Sequence, residues 1–208
     1  AGIDVAVFDG SFDISDRELA ANVKGTYNAV TGQEGNVYVA GDGHGTSCAK
    51  ILGAVGNNGY QSAGVAYNVN LYLVKVAANA SYSDYWESLL AGIHYAVSKN
   101  CRVISISLSD TEYNAEVEQA ISDAYARVQN SVLFVASGGN AGQEEYRYPA
   151  SYADAFGVSA INYKSGQFVS AGGTKNDRID IAAPSGTTSA ATAYAAGVAA
   201  LVFGADAS

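Results

Sequence analysis

The 208-residue sequence contains no methionine, two cysteines, two prolines and one tryptophan, and its 11 basic residues are outnumbered by 20 acidic ones. Each scarcity excludes something. Without methionine, even at position 1, the first residue is expected to have been exposed by processing or by the choice of expressed segment, with something upstream removed. Cys48 and Cys101 are too few for a disulfide framework, so neither their pairing nor the redox compartment is fixed. A net charge of −9 repels phosphate backbones and argues against nucleic acid as the main partner; a basic or neutral partner fits better. No uninterrupted apolar run reaches the roughly 18 residues that span a bilayer, and no charged leader precedes an apolar stretch at the N-terminus. The expectation is a soluble domain with no membrane span.

What is present is apolar and periodic. The length suits one domain over 1–208, since single cores grow to roughly 100 to 200 residues before splitting. Ile3 to Phe8 is a β-branched apolar run closed by Asp9-Gly10, the pattern of a strand buried on both faces. Val69 to Val76, Arg102 to Leu108, Val132 to Ala136 and Phe156 to Ile161 repeat it. Between them, Trp86, Leu89, Leu90, Ile93 and Val97 recur at helical spacing from Ser83 to Lys99, behind a cap-like Asp84-x-x-Glu87. Val117, Ile121, Ala124 and Val128 do the same from Glu116 to Gln129. Thr188 to Phe203 reads as a buried, alanine-rich helix opening at Ser189. Buried strands alternating with helices predict an α/β fold, a doubly wound parallel sheet whose ligand crevice lies off the carboxyl ends of the strands. Asp9, Ser107 and Gly138 to Asn140 fall at those ends.

Four segments carry chemistry together: VAVFDG (5–10), GHGTSCA (43–49), VASGGNAG (135–142) and GTTSAATAYAAGVAALV (186–202). Taken singly, the aspartate reads as a turn residue, the serine as a helix cap and Gly-Gly-Asn as a loop. In this order and spacing the chain resembles the subtilase family, whose motifs run Asp, HGTHxAG, Ala-Gly-Asn and GTSMAxPHVAG. GVAYNVNLYLVKV (64–76), VISISLS (103–109) and YPASYADAFGVSAI (148–161) are similar to further family segments. The resemblance implies a compact version of the three-layer subtilisin-like fold and a serine endopeptidase acting on a peptide or protein substrate, with no cofactor required. It implies Ser189 as nucleophile, His44 as general base, Asp9 as its orienting carboxylate and Asn140 as an oxyanion donor. Such a set suits the chemistry, because a serine hydroxyl needs a base to take its proton and the developing oxyanion needs fixed donors.

The resemblance also implies substrate walls at Ser107, Leu108, Ser109, Ser137, Gly138 and Gly139, with Arg147 at the floor of a pocket that is usually left open by a small residue. Arg147 then either receives an acidic substrate side chain or pairs with Glu144 or Glu145, leaving an occluded pocket suited to small residues. Calcium enters by resemblance too, at the loop from Asn57 to Ala63 with Glu18, beside the plainer reading of an unoccupied surface loop. A removed N-terminal propeptide and an extracellular location are family habits, and a cytoplasmic one stays open. His94 is expected to be structural or at the surface, Cys48 a buried inert thiol, and Asp16, Glu18, Glu144 and Glu145 solvated charges.

Departures from the family pattern leave other readings open. Thr187, Ala193 and Tyr194 replace a glycine, a proline and a histidine around Ser189, and Ser109-Asp110 replaces a glycine pair. These admit a silent or slow peptide-binding protein, or a peptide-processing transpeptidase. A nucleotide site at GDGHGTS lacks both the P-loop lysine and the dinucleotide glycine spacing.

Overall fold

A computed structural model describes residues 2–77, 82–127 and 131–206. In chain order the first half forms β1 (Asp4–Asp9), β2 (Val23–Asn28), β3 (Gln33–Glu34), α1 (His44–Gly53), β4 (Asn70–Lys75) and α2 (Tyr82–Ser98). The second half forms β5 (Val103–Ile106), α3 (Ala115–Tyr125), β6 (Leu133–Ser137), β7 (Ala155–Lys164), β8 (Gln167–Ser170), β9 (Ile179–Pro184) and α4 (Thr188–Asp206).

The apolar runs form the middle of one sheet of order β3-β2-β4-β1-β5-β6-β7-β8, with β9 also on β7. β1 is central, and Val5 to Phe8 are each fully buried because helices cover both of its faces. Pairing is parallel except where β3 turns back on β2 and β8 on β7. The expected parallel sheet is therefore correct for its body, with short antiparallel strands added at its edges. α1 and α4 pack their alanines and Leu52 on one face with Val5, Val7 and Leu71. On the other, α2 and α3 bury Trp86, Leu89, Ile93, Val117 and Ile121 against Ala6, Phe8, Ile104 and Phe134.

Three element ends differ from the sequence expectation. α2 starts at Tyr82, so Asp84 lies inside the first turn, where its charge suits the positive helix end, rather than at a cap. α3 ends at Tyr125; Val128, expected to continue it, lies outside the described residues. α4 opens at Thr188, one residue early, because Thr187 caps it: the Ala190 N–H donates to Thr187 Oγ1 at 3.3 Å and the Ala191 N–H to the Thr187 carbonyl at 3.1 Å.

α4 is apolar all round. Its Thr188–Ala205 window, with mean hydropathy 1.4, is long and apolar enough to cross a membrane by composition, yet half of it is buried inside the protein. Its outer side chains Tyr194, Val198 and Val202, with Phe156 and Ile181, line an open apolar groove.

Candidate active site

β1 lies between β4, which is entered through α1 on one face, and β5, which is entered through α2 on the other, and the crevice opens beyond the strand ends. Asp9 is the last residue of β1, Ser107 follows β5 and Gly138 follows β6. α1 delivers His44 with its first residue. Close approach of helix to strand is what puts the two in reach: a Cβ on Gly45 would stand 2.6 Å from Asp9 Cβ and 2.4 Å from the Ser11 carbonyl oxygen, so only glycine fits.

His44 Nδ1 lies 2.8 Å from Asp9 Oδ2 and 2.9 Å from Oδ1. The carboxylate is 2 % exposed and the imidazole 45 %, and the Gly10 N–H donates to Asp9 Oδ1 at 2.8 Å. Burial raises the Asp9 pKa above 3.8, outweighing the His44 and Gly10 hydrogen bonds that pull it down. The hydrogen bond that His44 donates to Asp9 raises the His44 pKa above 6.5, with burial opposing. A proton on Nδ1 donated to Asp9 leaves Nε2 as the ring's acceptor, the tautomer a general base needs.

Cys48, one turn along α1, places its sulfur within 4.8 Å of these ligand atoms, so Asp9, His44 and Cys48 are close enough together to hold a metal. Yet both Asp9 oxygens already serve Nδ1, and burial pushes the Cys48 thiol up to about 12, leaving it neutral. Cys48 and Cys101 are both buried and unpaired.

Ser189 is the second residue of α4 and half-buried. Its hydroxyl donates to the Ser107 carbonyl at 3.1 Å, and the Ser107 hydroxyl donates to the Ser189 carbonyl at 3.0 Å. Among the described residues, Ser189 Oγ makes this bond and none to His44. Asn140 is held by a neighbour that the sequence reading passed over. Its Oδ1 accepts the Thr188 N–H at 2.8 Å and the Thr188 hydroxyl at 3.0 Å, and Thr188 Oγ1 in turn accepts from Ser137 at 2.8 Å. A backbone N–H only donates, so Oδ1 is fixed on Thr188 and Nδ2 is left over. Neither Asn140 Nδ2 nor the Ser189 N–H has a protein partner among the described residues.

These groups share one cavity of about 630 Å³. Asp9, His44, Asn140, Ser189, Ser107, Leu108, Ser109, Ser137, Gly139 and Arg147 line it, joined by Asp42 and Ala141, which the sequence did not single out. Gly138 does not; it backs onto β7 and Ile179, where a Cβ would meet Ile179 Cδ1 at 2.6 Å. Arg147 is paired, with Nε and Nη2 each 2.5 Å from Glu145 Oε1. His94 is exposed, as expected. Of the four expected surface carboxylates, Glu144 is exposed, Asp16 pairs with Lys50 at 3.0 Å and Glu145 with Arg147. Glu18 departs outright, being fully buried.

A serine, a carboxylate-held imidazole and an oriented amide at the strand ends of a doubly wound sheet define a serine hydrolase class of site. The model of the subtilase family matches residues 1–208, and the chain belongs to that family. It is 34% identical to thermitase of Thermoactinomyces vulgaris over 97% of this chain and 75% of the relative. It is 33% identical to the major intracellular serine protease of Bacillus subtilis over 88% of this chain and 57% of that protein. Among solved structures, a psychrophilic protease described as S41 superposes with a TM-score of 0.84 at 25% identity, over 100% of this chain and 79% of the other. The fold is thus the compact subtilisin-like one, and the chain is a subtilisin-like serine peptidase. The relatives include proteins named as intracellular and as extracellular, so the family admits either location.

Proposed function

We propose that Ser189, His44, Asp9 and Asn140 carry out peptide-bond hydrolysis through an acyl-enzyme. The observation that carries this reading is the convergence of the Asp9-held imidazole, the Ser189 hydroxyl and the free Asn140 amide on one cavity. A turn of the Ser189 side chain away from the Ser107 carbonyl brings Oγ toward His44 Nε2, which takes its proton as Oγ bonds the substrate carbonyl carbon. The oxyanion is received by Asn140 Nδ2 and the Ser189 N–H, neither of which has a protein acceptor among the described residues. Collapse breaks the C–N bond as the imidazolium passes its proton to the leaving amine, and a water repeats the cycle to release the acid.

The decisive experiment is mass spectrometry after treatment with a small fluorophosphonate. One adduct on Ser189 is expected, absent from Ser189→Ala, together with loss of peptidase activity in that variant. The Ser189–Ser107 bond, with the replacements at Thr187, Ala193 and Tyr194, favours a silent protein, and an unlabelled parent chain selects that reading.

A second reading concerns calcium. Glu18 Oε1 accepts from Asn58 Nδ2 at 2.8 Å, while Oε2 is buried with no partner. A buried carboxylate oxygen without a partner is costly, and a hard cation answers it. Glu18 and the neighbouring loop around Asn57 and Asn58 are the residues that fit such an ion, in a structural role away from the reaction.

A further inference from the structure

We propose that Arg147 makes this cavity a receptor for a carboxylate-bearing side chain on the residue N-terminal to the cleaved bond, with Glu145 as the residue that positions it. The inference rests on the reading of Ser189 as the nucleophile.

The side of the cleaved bond follows from the cavity walls. His44 must hand its proton to the departing amine, so the leaving half lies on its side. The acyl half stays against the oxyanion donors, beside Asn140. Arg147 belongs to that second wall: a Cβ on Gly139 would stand 2.9 Å from Arg147 Cγ, so the arginine stem lies flat against the residue preceding Asn140. Gly139 adopts φ +88°, so it combines a left-handed backbone with the space the stem needs.

The guanidinium has two hydrogen-bonding edges, each able to grip a carboxylate with two parallel N–H groups. Glu145 occupies one, since its Oε1 takes both Nε and Nη2. Glu145 is itself held from the other side, its Oε2 accepting from Gln143 Nε2 at 3.2 Å. The other edge, Nη1 with the second Nη2 hydrogen, has no protein partner among the described residues. Arg147 lines the same cavity of about 630 Å³ as Ser189 and Asn140. The rest of the side-chain wall is mixed: Ser107, Ser109 and Ser137 bring hydroxyls, of which Ser107 already donates to the Ser189 carbonyl and Ser137 to Thr188, while Leu108 and Ala141 are apolar. Three carboxylates oppose an acidic guest. Glu145 neutralises the net charge of Arg147, Asp42 lines the cavity, and Asp9 lines it too, though held by His44. A point cation would be cancelled by them; a guanidinium retains a directional fork with three unspent N–H donors.

The test measures inactivation by peptidyl phosphonate diphenyl esters carrying a Glu, Gln, Ala or Phe side chain next to phosphorus. Each rate is divided by that of the small fluorophosphonate, which has no such side chain. For the parent, the Glu reagent is expected to react at least about tenfold faster than the Gln and Phe reagents, the scale of a charge-assisted pair. Arg147→Ser is expected to remove that preference and favour Phe. Arg147→Lys keeps the charge but not the fork and is expected to lose most of it. Glu145→Gln keeps an acceptor for Nε, removes the competing charge and should raise the Glu ratio further. A parent preference for Phe or Ala that Arg147→Ser leaves unchanged overturns the proposal, as does a Glu ratio that falls in Glu145→Gln. Failure of the small reagent to label the parent refutes the nucleophile assignment itself, and is read separately from the ratios.

Discussion

At His44, the proposed general base, the bond that fixes the ring also raises its pKa. Asp9 holds Nδ1 at 2.8 Å and is the largest cause of the raised imidazole pKa. A general base must be unprotonated, so activity is absent below that pKa and appears as pH rises through it. The acid limb of kcat/KM, which reports the free enzyme, is therefore expected to have its midpoint above 6.5. Asp9→Asn should move the midpoint down toward the unperturbed value and lower the rate by about 10⁴, because the amide favours the wrong tautomer. A pH–rate profile of the two proteins checks both, and an unchanged midpoint would show that Asp9 does not tune this ring. Cys48 sits close enough to invite a role, but a thiol held near 12 has no thiolate to offer at any working pH.

Elements differ in how plainly the sequence announced them. β1, β4, β5 and β6 were legible because burial on both faces leaves continuous apolar runs, and Asp9, Ser107 and Gly138 to Asn140 were legible as the residues that end them. β2 was missed because VKGTYN is half-exposed and broken by a glycine, and β8 and β9 because they lie at the sheet's far edge, mostly exposed. Thr188, which orients the Asn140 amide, has no local signature. Its hydroxyl matters only because folding brings Ser137 and Asn140, each about fifty positions away in the chain, against it. The burial of Glu18 is likewise a tertiary fact. Charge in a loop reads as solvated until Asn58 and the main chain close over it, as they do where the Val55 N–H meets the Glu18 carbonyl at 2.8 Å. That closure yields the element-scale prediction: millimolar calcium should raise Tm relative to chelator, and Glu18→Gln should abolish the difference. Equal melting temperatures for the parent in the two conditions would dispose of the ion.

For the molecule as a whole, the sheet divides two packed layers. The proposed catalytic residues come from α1 and α4 and from strand ends, and α1 and α4 pack on the layer with Val5 and Leu71. The other layer, under α2 and α3, holds Trp86, 2 % exposed and the sole tryptophan of the chain. Nature has thus placed an optical reporter and a chemical reporter on opposite sides of one wall. Trp86 emission should be blue in the native state and shift to the red as its layer opens to water, while competence to take up fluorophosphonate follows the layer of Ser189. In a denaturant titration the two curves are expected to coincide, the mark of a single cooperative unit spanning 1–208. Curves with separate midpoints would mean that the catalytic layer loosens while the light still reports an intact protein.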